Sequence, residues 1–308
     1  MIDLFGGVTE KMSIYLEKLQ YHSGETVRGK LLVSTNKDSK ARDFRFVAEG
    51  KEETRIVVRY TDHHGSSDNS YTRSTGRKQT YTDSDTFFKQ DLFEFVSGNE
   101  PFAKKSGDGI TIIKGKHEIP FEFVIPSNAL ESYSGKNAWI RYTVKATIDK
   151  KLRGDSNESI SFGVMGAGIR SGNVSPNPIV ISDQNSKGLE IMLEVEESTY
   201  NAGDNLHGKV ALQGDNDAAA DIRSIQILLT ATEYATASGQ TKTNTMEEHI
   251  HNITQWESSK SLPFEIRIPQ TAPKSYVGRY SELYWTIKAK VDIPMGFDLN
   301  ASSRIEIL

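Results

Sequence analysis

The chain has 308 residues, 36% of them hydrophobic, and a formal net charge of −4. That length accommodates two domains of ordinary size, and the charge balance gives no global reason to expect nucleic-acid binding, which depends on concentrated positive charge. With no cysteine, disulfides, thiolate metal sites and a cysteine nucleophile are excluded. No run approaches the roughly 18 apolar residues of a spanning helix. The opening residues lack the basic and apolar regions of a signal peptide, so the cytoplasm is the expected location.

In chain order, the first strand signal is Ile14-Tyr15-Leu16-Glu17, followed by Tyr21-His22-Ser23-Gly24-Glu25-Thr26-Val27-Arg28-Gly29-Lys30. Gly24 can take a positive φ at the turn, and Tyr21 can bury its ring while its hydroxyl reaches the backbone. Gly29 sits inside the next strand, Val27–Ser34, where glycine marks a bulge or a close backbone approach. Strands are then predicted over Phe44–Glu49 and Arg55–Tyr60 by period-2 alternation. The stretch 61–86 is rich in Ser, Thr, Gly and Asp, so it is expected as a mobile loop or an extended hairpin. Long polar segments of this kind are often functional, and this one carries Arg73, Arg77 and Lys78. Phe87–Val96 reads as a strand, followed by Gly109–Lys114 and Ile119–Ile125. Pro120 and Pro126 bracket the last of these, as expected for strand ends or an edge strand. Ile140–Ile148 closes the first set.

Gly166–Pro178 is a glycine- and proline-rich link, which places a boundary near Gly172 and divides the chain into 1–171 and 172–308. Beyond it the chain repeats itself. Tyr200-Asn201-Ala202-Gly203-Asp204 answers Tyr21-His22-Ser23-Gly24-Glu25 at an offset of 179 (200 − 21). Leu262-Pro263-Phe264-Glu265 answers Ile119-Pro120-Phe121-Glu122 at an offset of 143 (263 − 120), as Ser275-Tyr276-Val277-Gly278 answers Ser132-Tyr133-Ser134-Gly135. The first copy is therefore longer by 36 residues (179 − 143) between the shared blocks. Strands are predicted in the second copy over Leu189–Glu196, Leu206–Gln213, Ile222–Ala231, Thr245–Ile253, Phe264–Ile268, Leu283–Val291 and Ser303–Leu308. The spacing is that of β-sandwiches.

The chain contains no dinucleotide fingerprint, Walker A sequence, H-E-x-x-H or G-x-S-x-G elbow, so an enzyme is not expected. Metal-ligand types gather at Asp62-His63-His64 and in the alternation Glu247, His249, His251, which would share one face of a strand. The same pattern is common on solvated strands, and neither a metal nor a cofactor is expected.

The order Leu4-Phe5-Gly6, Tyr21-x-x-Gly24-Glu25-x-Val27-x-Gly29, Ile119-Pro120-Phe121-Glu122, Ser132-x-x-Gly135 and Ile140-x-Tyr142-x-Val144-x-Ala146 resembles the arrestin superfamily. It is closest to the arrestin-domain-containing branch, and both copies carry it. The resemblance implies an all-β chain of two tandem immunoglobulin-like β-sandwiches. It also implies a non-enzymatic adaptor or scaffold that binds a protein partner, such as a membrane-protein tail or a trafficking or signalling complex, with peripheral contact to membranes.

The chain departs from the family in specific places. No Pro-Pro pair exists to build a proline-tyrosine motif, and Leu92-Phe93-Glu94-Phe95-Val96 ends in valine where a clathrin box has an acid. The chain also closes after the second sandwich, where visual and β-type arrestins carry a regulatory tail. These departures point toward minimal relatives: the arrestin-like subunit of retromer, or the sporulation-control family of prokaryotes. An intracellular regulator of the latter kind is the alternative function. A ligand- or metal-binding β-sandwich is a third. The expected partner contacts are Arg73, Arg77 and Lys78, or exposed sheet edges.

Overall fold

The computed structural model describes residues 10–62, 75–94, 99–150, 154–166, 178–214, 222–256, 260–293 and 298–308. Leu4-Phe5-Gly6, His63, His64, Arg73, Phe95, Val96 and the boundary at Gly172 lie outside them. Every regular element described is a strand. The first copy supplies β1 (Glu10–Leu16), β2 (Gln20–His22), β3 (Thr26–Thr35), β4 (Ser39–Ala41), β5 (Asp43–Asp62), β6 (Thr75–Asp91) and β7 (Asn99–Glu100). It continues with β8 (Ala103–Ser106), β9 (Gly109–Ile112), β10 (Gly115–Val124), β11 (Tyr133–Ser134), β12 (Ala138–Asp149) and β13 (Ser156–Met165). The second copy supplies β14 (Ile179–Gln184), β15 (Glu190–Val195), β16 (Thr199–Tyr200), β17 (Asn205–Gln213) and β18 (Ser224–Ala237). Five more follow: β19 (Gln240–Ile253), β20 (Ser261–Arg267), β21 (Tyr276–Val277), β22 (Ser281–Asp292) and β23 (Leu299–Ile307).

The chain packs as two compact units. Met1–Glu52, Ser84–Ser134 and Trp139–Ala167 form the first, while Glu53–Asp83 and Gly135–Ala138 join Gly168–Leu308 in the second. The duplication is visible in the sheets: the order β1-β3-β10 recurs as β15-β17-β20, and β2-β13-β12-β5-β6 recurs as β16-β23-β22-β18-β19. The first copy adds a small sheet ordered β4-β9-β8-β7, and the second adds β14 beside β15.

In the first unit, Phe121 of β10 meets Phe46 of β5 edge-to-face at 5.0 Å, and Phe123 lies 6.1 Å from Phe162 of β13. The two sheets are thus joined by aromatic contacts. In the second unit, Ile191, Leu193, Val210 and Phe264 share one core with Ile227, Leu229, Trp285 and Ile287. Full burial of each such aliphatic side chain contributes about 1.5–3 kcal/mol.

Several hydrogen bonds recur at the sequence offsets. Ser132 Oγ accepts the Val164 amide at 2.9 Å, as Ser275 Oγ accepts that of Ile307 at 3.1 Å. Tyr142 donates its hydroxyl to the Leu130 carbonyl at 2.6 Å, and Trp285 donates its indole N–H to Pro273 at 2.9 Å. Two different side chains therefore satisfy the same backbone group.

Gly29 and Gly208 are sites of close approach. A Cβ on Gly29 would stand 2.6 Å from Phe121 Cζ, and one on Gly208 would stand 2.5 Å from Phe264 Cζ. Each phenylalanine is the cross-strand partner of its glycine, so its ring covers the strand where a side chain would otherwise rise. Pro120 lies within β10, and Pro263 within β20, so the strands run through the prolines. Both strands end their sheets, where a missing N–H breaks no ladder.

Other sequence expectations are corrected. Phe44–Glu49 and Arg55–Tyr60 are one strand of 20 residues, β5. The gap between the two predicted strands, Gly50–Thr54, is polar, but Glu52 and Thr54 are buried on the same face as Phe46 and Ile56. Strand β6 stops at Asp91, so Leu92–Glu94 are not strand.

Strand β18 carries a buried carboxylate, Glu233, on the face that holds Leu229 and Ala231. It accepts the backbone amides of Lys136 at 3.1 Å and Asn137 at 2.8 Å, and the Asn244 amide at 3.1 Å. Asn137 in turn donates to the Arg55 carbonyl and accepts the Arg55 amide at 2.9 Å. Thr54 donates to the Thr236 carbonyl at 2.6 Å, and Asp83 accepts the Ser238 amide at 2.8 Å. This network explains why 53–83 and 135–138 pack with the second unit.

Gly29→Ala is expected to cost about 1–3 kcal/mol, because the new methyl collides with the Tyr15 carbonyl and overpacks against Phe121. Gly154→Ala, with open space around its Cα, is expected to be neutral within about 0.5 kcal/mol. Urea unfolding of both variants tests the contrast. Glu233→Ala strips two part-buried backbone amides of their acceptor and is expected to cost about 1–3 kcal/mol, with Glu233→Gln milder. Equal unfolding midpoints for Glu233→Ala and the parent would refute that role.

Candidate partner-binding surface

Strand β1 forms because Ile14 is buried and Tyr15 faces out, in the alternation its sequence dictates. It pairs with β3 along one side, from Glu10↔Thr35 to Leu16↔Gly29. In the second copy the equivalent strand β15 is paired on both sides, with β14 lying against it from Ile179↔Val195 to Gln184↔Glu190. Among the described residues no strand lies against the outer side of β1. An unpaired strand edge offers backbone donors and acceptors to an incoming segment.

The solvent face of the same sheet bears a shallow groove of 690 Å³, with Tyr15, Lys30 and Pro120 in one cross-strand row. Arg28 pairs with Glu122 at 3.2 Å and Lys30 with Glu118 at 3.3 Å along it. Both pairs are exposed and contribute at most about 1 kcal/mol to stability. Tyr15, 51% exposed, is a large apolar group on this face, as is Val124 farther along β10.

The corner after β1 is held by the duplicated motif. Gly24 has φ +80° and Gly203 has φ +90°, the left-handed turn that their neighbours require of glycine. The Glu25 carboxylate accepts the His22 amide at 2.9 Å, and Asp204 accepts that of Asn201 at 2.7 Å. The acid's own carbonyl then takes the amide of Ile125 or Ile268. Tyr21 is buried and its hydroxyl accepts the Lys18 amide at 3.3 Å. Burial pushes the Tyr200 hydroxyl up to about 12, with the Glu197 backbone amide pulling the other way. Only the first copy adds an ion pair here, Lys18 with Glu25, and Lys18 also lies 5.0 Å from the Tyr21 ring centroid.

Of the sequence-predicted contact residues, Arg77 and Lys78 stand exposed on β6, and Arg73 lies outside the described residues. Strand β5 reaches Asp62 and β6 resumes at Thr75, so the described part of the polar stretch is an extended hairpin. Tyr60 and Tyr81 tie its strands together, hydroxyl to hydroxyl, at 2.9 Å. Arg77 and Lys78 belong to the second unit and the β1 groove to the first. Glu247 and His249 approach to 3.5 Å on β19, and the His251 ring lies 6.5 Å from that of Phe264. No three His, Cys, Asp or Glu side chains among the described residues gather as a metal set. The β1 groove was missed in the sequence; its only signal was a proline and a tyrosine at outward-facing positions.

The family model for the arrestin (or S-antigen) N-terminal domain matches residues 12–167, and the model for the SpoOM protein matches residues 187–308. The chain is 33% identical over 134 residues to human arrestin domain-containing protein 4, covering 42% of this chain and 28% of that one. It is 43% identical over 47 residues to the mouse protein of that name, 15% of this chain and 11% of that one. The matched segments thus span less than a third of these relatives' length.

Lys18 first, and the His22 amide second, hold the Glu25 carboxyl below its ordinary value of 4.5. A lowered folded value means stability that is complete above the ordinary value and is lost as pH falls through the folded one. Glu25→Gln should therefore lose less stability than the parent between about pH 7 and about pH 3. Urea midpoints at the two pH values give the comparison; identical acid losses would refute it.

Proposed function

Because the chain belongs to the arrestin superfamily, we propose that it is a non-enzymatic adaptor that captures an extended segment of a protein partner by strand addition at β1. The observation that carries this reading is the difference between two copies of one sheet. The second copy's β15 has β14 on its outer side, whereas the described residues leave the same side of β1 open. The antiparallel pairing of β14 with β15 in the second copy supports an antiparallel segment as the occupant of this edge. The groove beside it supplies a pocket for the segment's outward side chains, and its paired charges select a segment of mixed or neutral charge.

In this reading the division at 171/172 separates the two sandwiches, and the 61–86 insertion with Arg73, Arg77 and Lys78 is a second contact for an acidic stretch of the partner. The work is cytoplasmic, on membrane-protein tails or signalling complexes, with peripheral contact to the membrane. The SpoOM match over 187–308 favours a second reading, an intracellular regulator of the sporulation-control type acting through protein contacts alone.

Cross-linked co-purification from the native host, followed by hydrogen exchange on the recovered complex, tests the site. The expected result is slowed exchange at the amides of Lys11–Leu16 on complex formation. Arg77→Glu/Lys78→Glu should weaken capture severalfold without removing that protection. Protection confined to other strands would overturn the β1 assignment. A partner retained only through the hairpin would transfer the role to Arg77 and Lys78.

A further inference from the structure

The alternation Glu247, His249, His251 lies on β19, the strand that ends the larger sheet of the second copy. Its register excludes the solvated face that such alternations commonly mark. The three residues stand opposite Ala231, Leu229 and Ile227 of β18. Directly opposed residues share one face of a sheet, and these three partners are fully buried members of the second core. The carboxylate and both imidazoles therefore lie on the inner face, while Glu248, Ile250 and Asn252 are exposed on the outer one.

The first copy fills the matching place with an aromatic ring. Phe88 of β6 stacks on Phe123 of β10 at 5.9 Å, where the second copy sets His251 of β19 against Phe264 of β20 at 6.5 Å. Packing alone thus does not call for polar groups here. Two of their atoms are also left unsatisfied. Glu247 Oε2 and His249 Nε2 are buried and have no hydrogen-bond partner among the described residues, and they face each other at 3.5 Å. An unsatisfied buried polar atom is costly, and a bound ion is one of the few things that accounts for it.

The separation is itself informative. Zinc binds imidazole nitrogen and carboxylate oxygen at about 2.0–2.2 Å, so two ligand atoms at a tetrahedral angle stand about 3.3–3.5 Å apart. Glu247 and His249 hold that spacing. They reach it from positions two apart on a strand, about 6.7 Å along the backbone. His251 is two residues further on the same face, and an equal reach carries its ring from Phe264 to the ion.

We propose that Glu247, His249 and His251 bind one divalent transition-metal ion of the zinc type. Two imidazoles and one carboxylate form a ligand set that suits zinc and leaves a fourth position for water. Magnesium, which seeks oxygen ligands, has no such match. The ion satisfies both orphaned atoms, and the half-buried side chains leave it a path from solvent. The site is independent of the adaptor reading, since its residues belong to the second unit and those of β1 to the first.

The test titrates the full untagged chain, stripped by a chelator, with zinc sulfate in a calorimeter. One equivalent should bind, and cobalt(II) in its place should show the visible absorption of a tetrahedral ion. Glu247→Gln, His249→Ala and His251→Ala should each weaken binding by about tenfold or more, since even a partner behind a metal ligand is worth about 10–100-fold. Asp62-His63-His64 is the other group of ligand types in the sequence, so His63→Ala/His64→Ala is the control and should leave the affinity unchanged. Urea midpoints of the metal-free variants report whether the fold persists, and Glu247→Gln, which keeps its side chain's shape, carries the test if an alanine variant unfolds. Zinc should raise the midpoint of the parent and not that of His249→Ala. Absence of zinc binding, equal binding of magnesium, affinity that survives His249→Ala or His251→Ala, or an equal loss in the His63/His64 control would overturn the site.

Discussion

Each half of this protein depends on a glycine that lets an aromatic ring lie on a strand. At Gly29 and at Gly208 the space above the backbone is filled by the phenylalanine directly opposite, Phe121 or Phe264, together with a carbonyl of the neighbouring strand, Tyr15 or Glu194. The ring then faces inward. In the first unit it meets Phe46 of the other sheet, so one close approach fixes both the register of β3 against β10 and the seating of the two sheets. A one-residue slip would put the ring over a side chain, where no room exists. Two copies that have otherwise diverged keep this pair.

Duplication with divergence also explains where function is to be sought. Side chains that hold the sandwich together are repeated or exchanged for equivalents, as with the Tyr142 hydroxyl and the Trp285 indole, which donate to equivalent carbonyls. What is not repeated is free of that duty: the side of β1 that the described residues leave open, the Lys18–Glu25 pair, the polar lengthening of the β5–β6 hairpin and the small sheet β4-β9-β8-β7. The exposed pairs of the β1 groove contribute little to stability. Their arrangement is therefore available for partner chemistry.

The buried Glu233 shows how the long hairpin is integrated. A carboxylate is costly to bury unless its oxygens are satisfied. Here two successive backbone amides and an asparagine satisfy it, and Asn137 passes the order on to Arg55. Residues brought in from two distant stretches of the first copy thus become part of the second unit. The sequence offered no sign of this, since Glu233 sits in a threonine-rich alternation where a charged residue reads as solvent-facing.

The local alternation of β-branched and aromatic residues, the tyrosine-glycine-acid turns and the constant offsets determined the strands, the duplication and the family resemblance. These are short-range or self-comparing signals, and the chain carries them without reference to its fold. The length of β5 is not legible because Gly50–Thr54 is polar, and only the tertiary structure supplies the buried surroundings that keep it extended. The sites depended on contacts between distant segments. Glu247, His249 and His251 alternate in the sequence, but only the pairing of β19 with β18 shows that they share the face of the core. That no strand among the described residues lies on the outer side of β1 is likewise a matter of pairing, which is set by the packing of the core rather than by the strand's own residues.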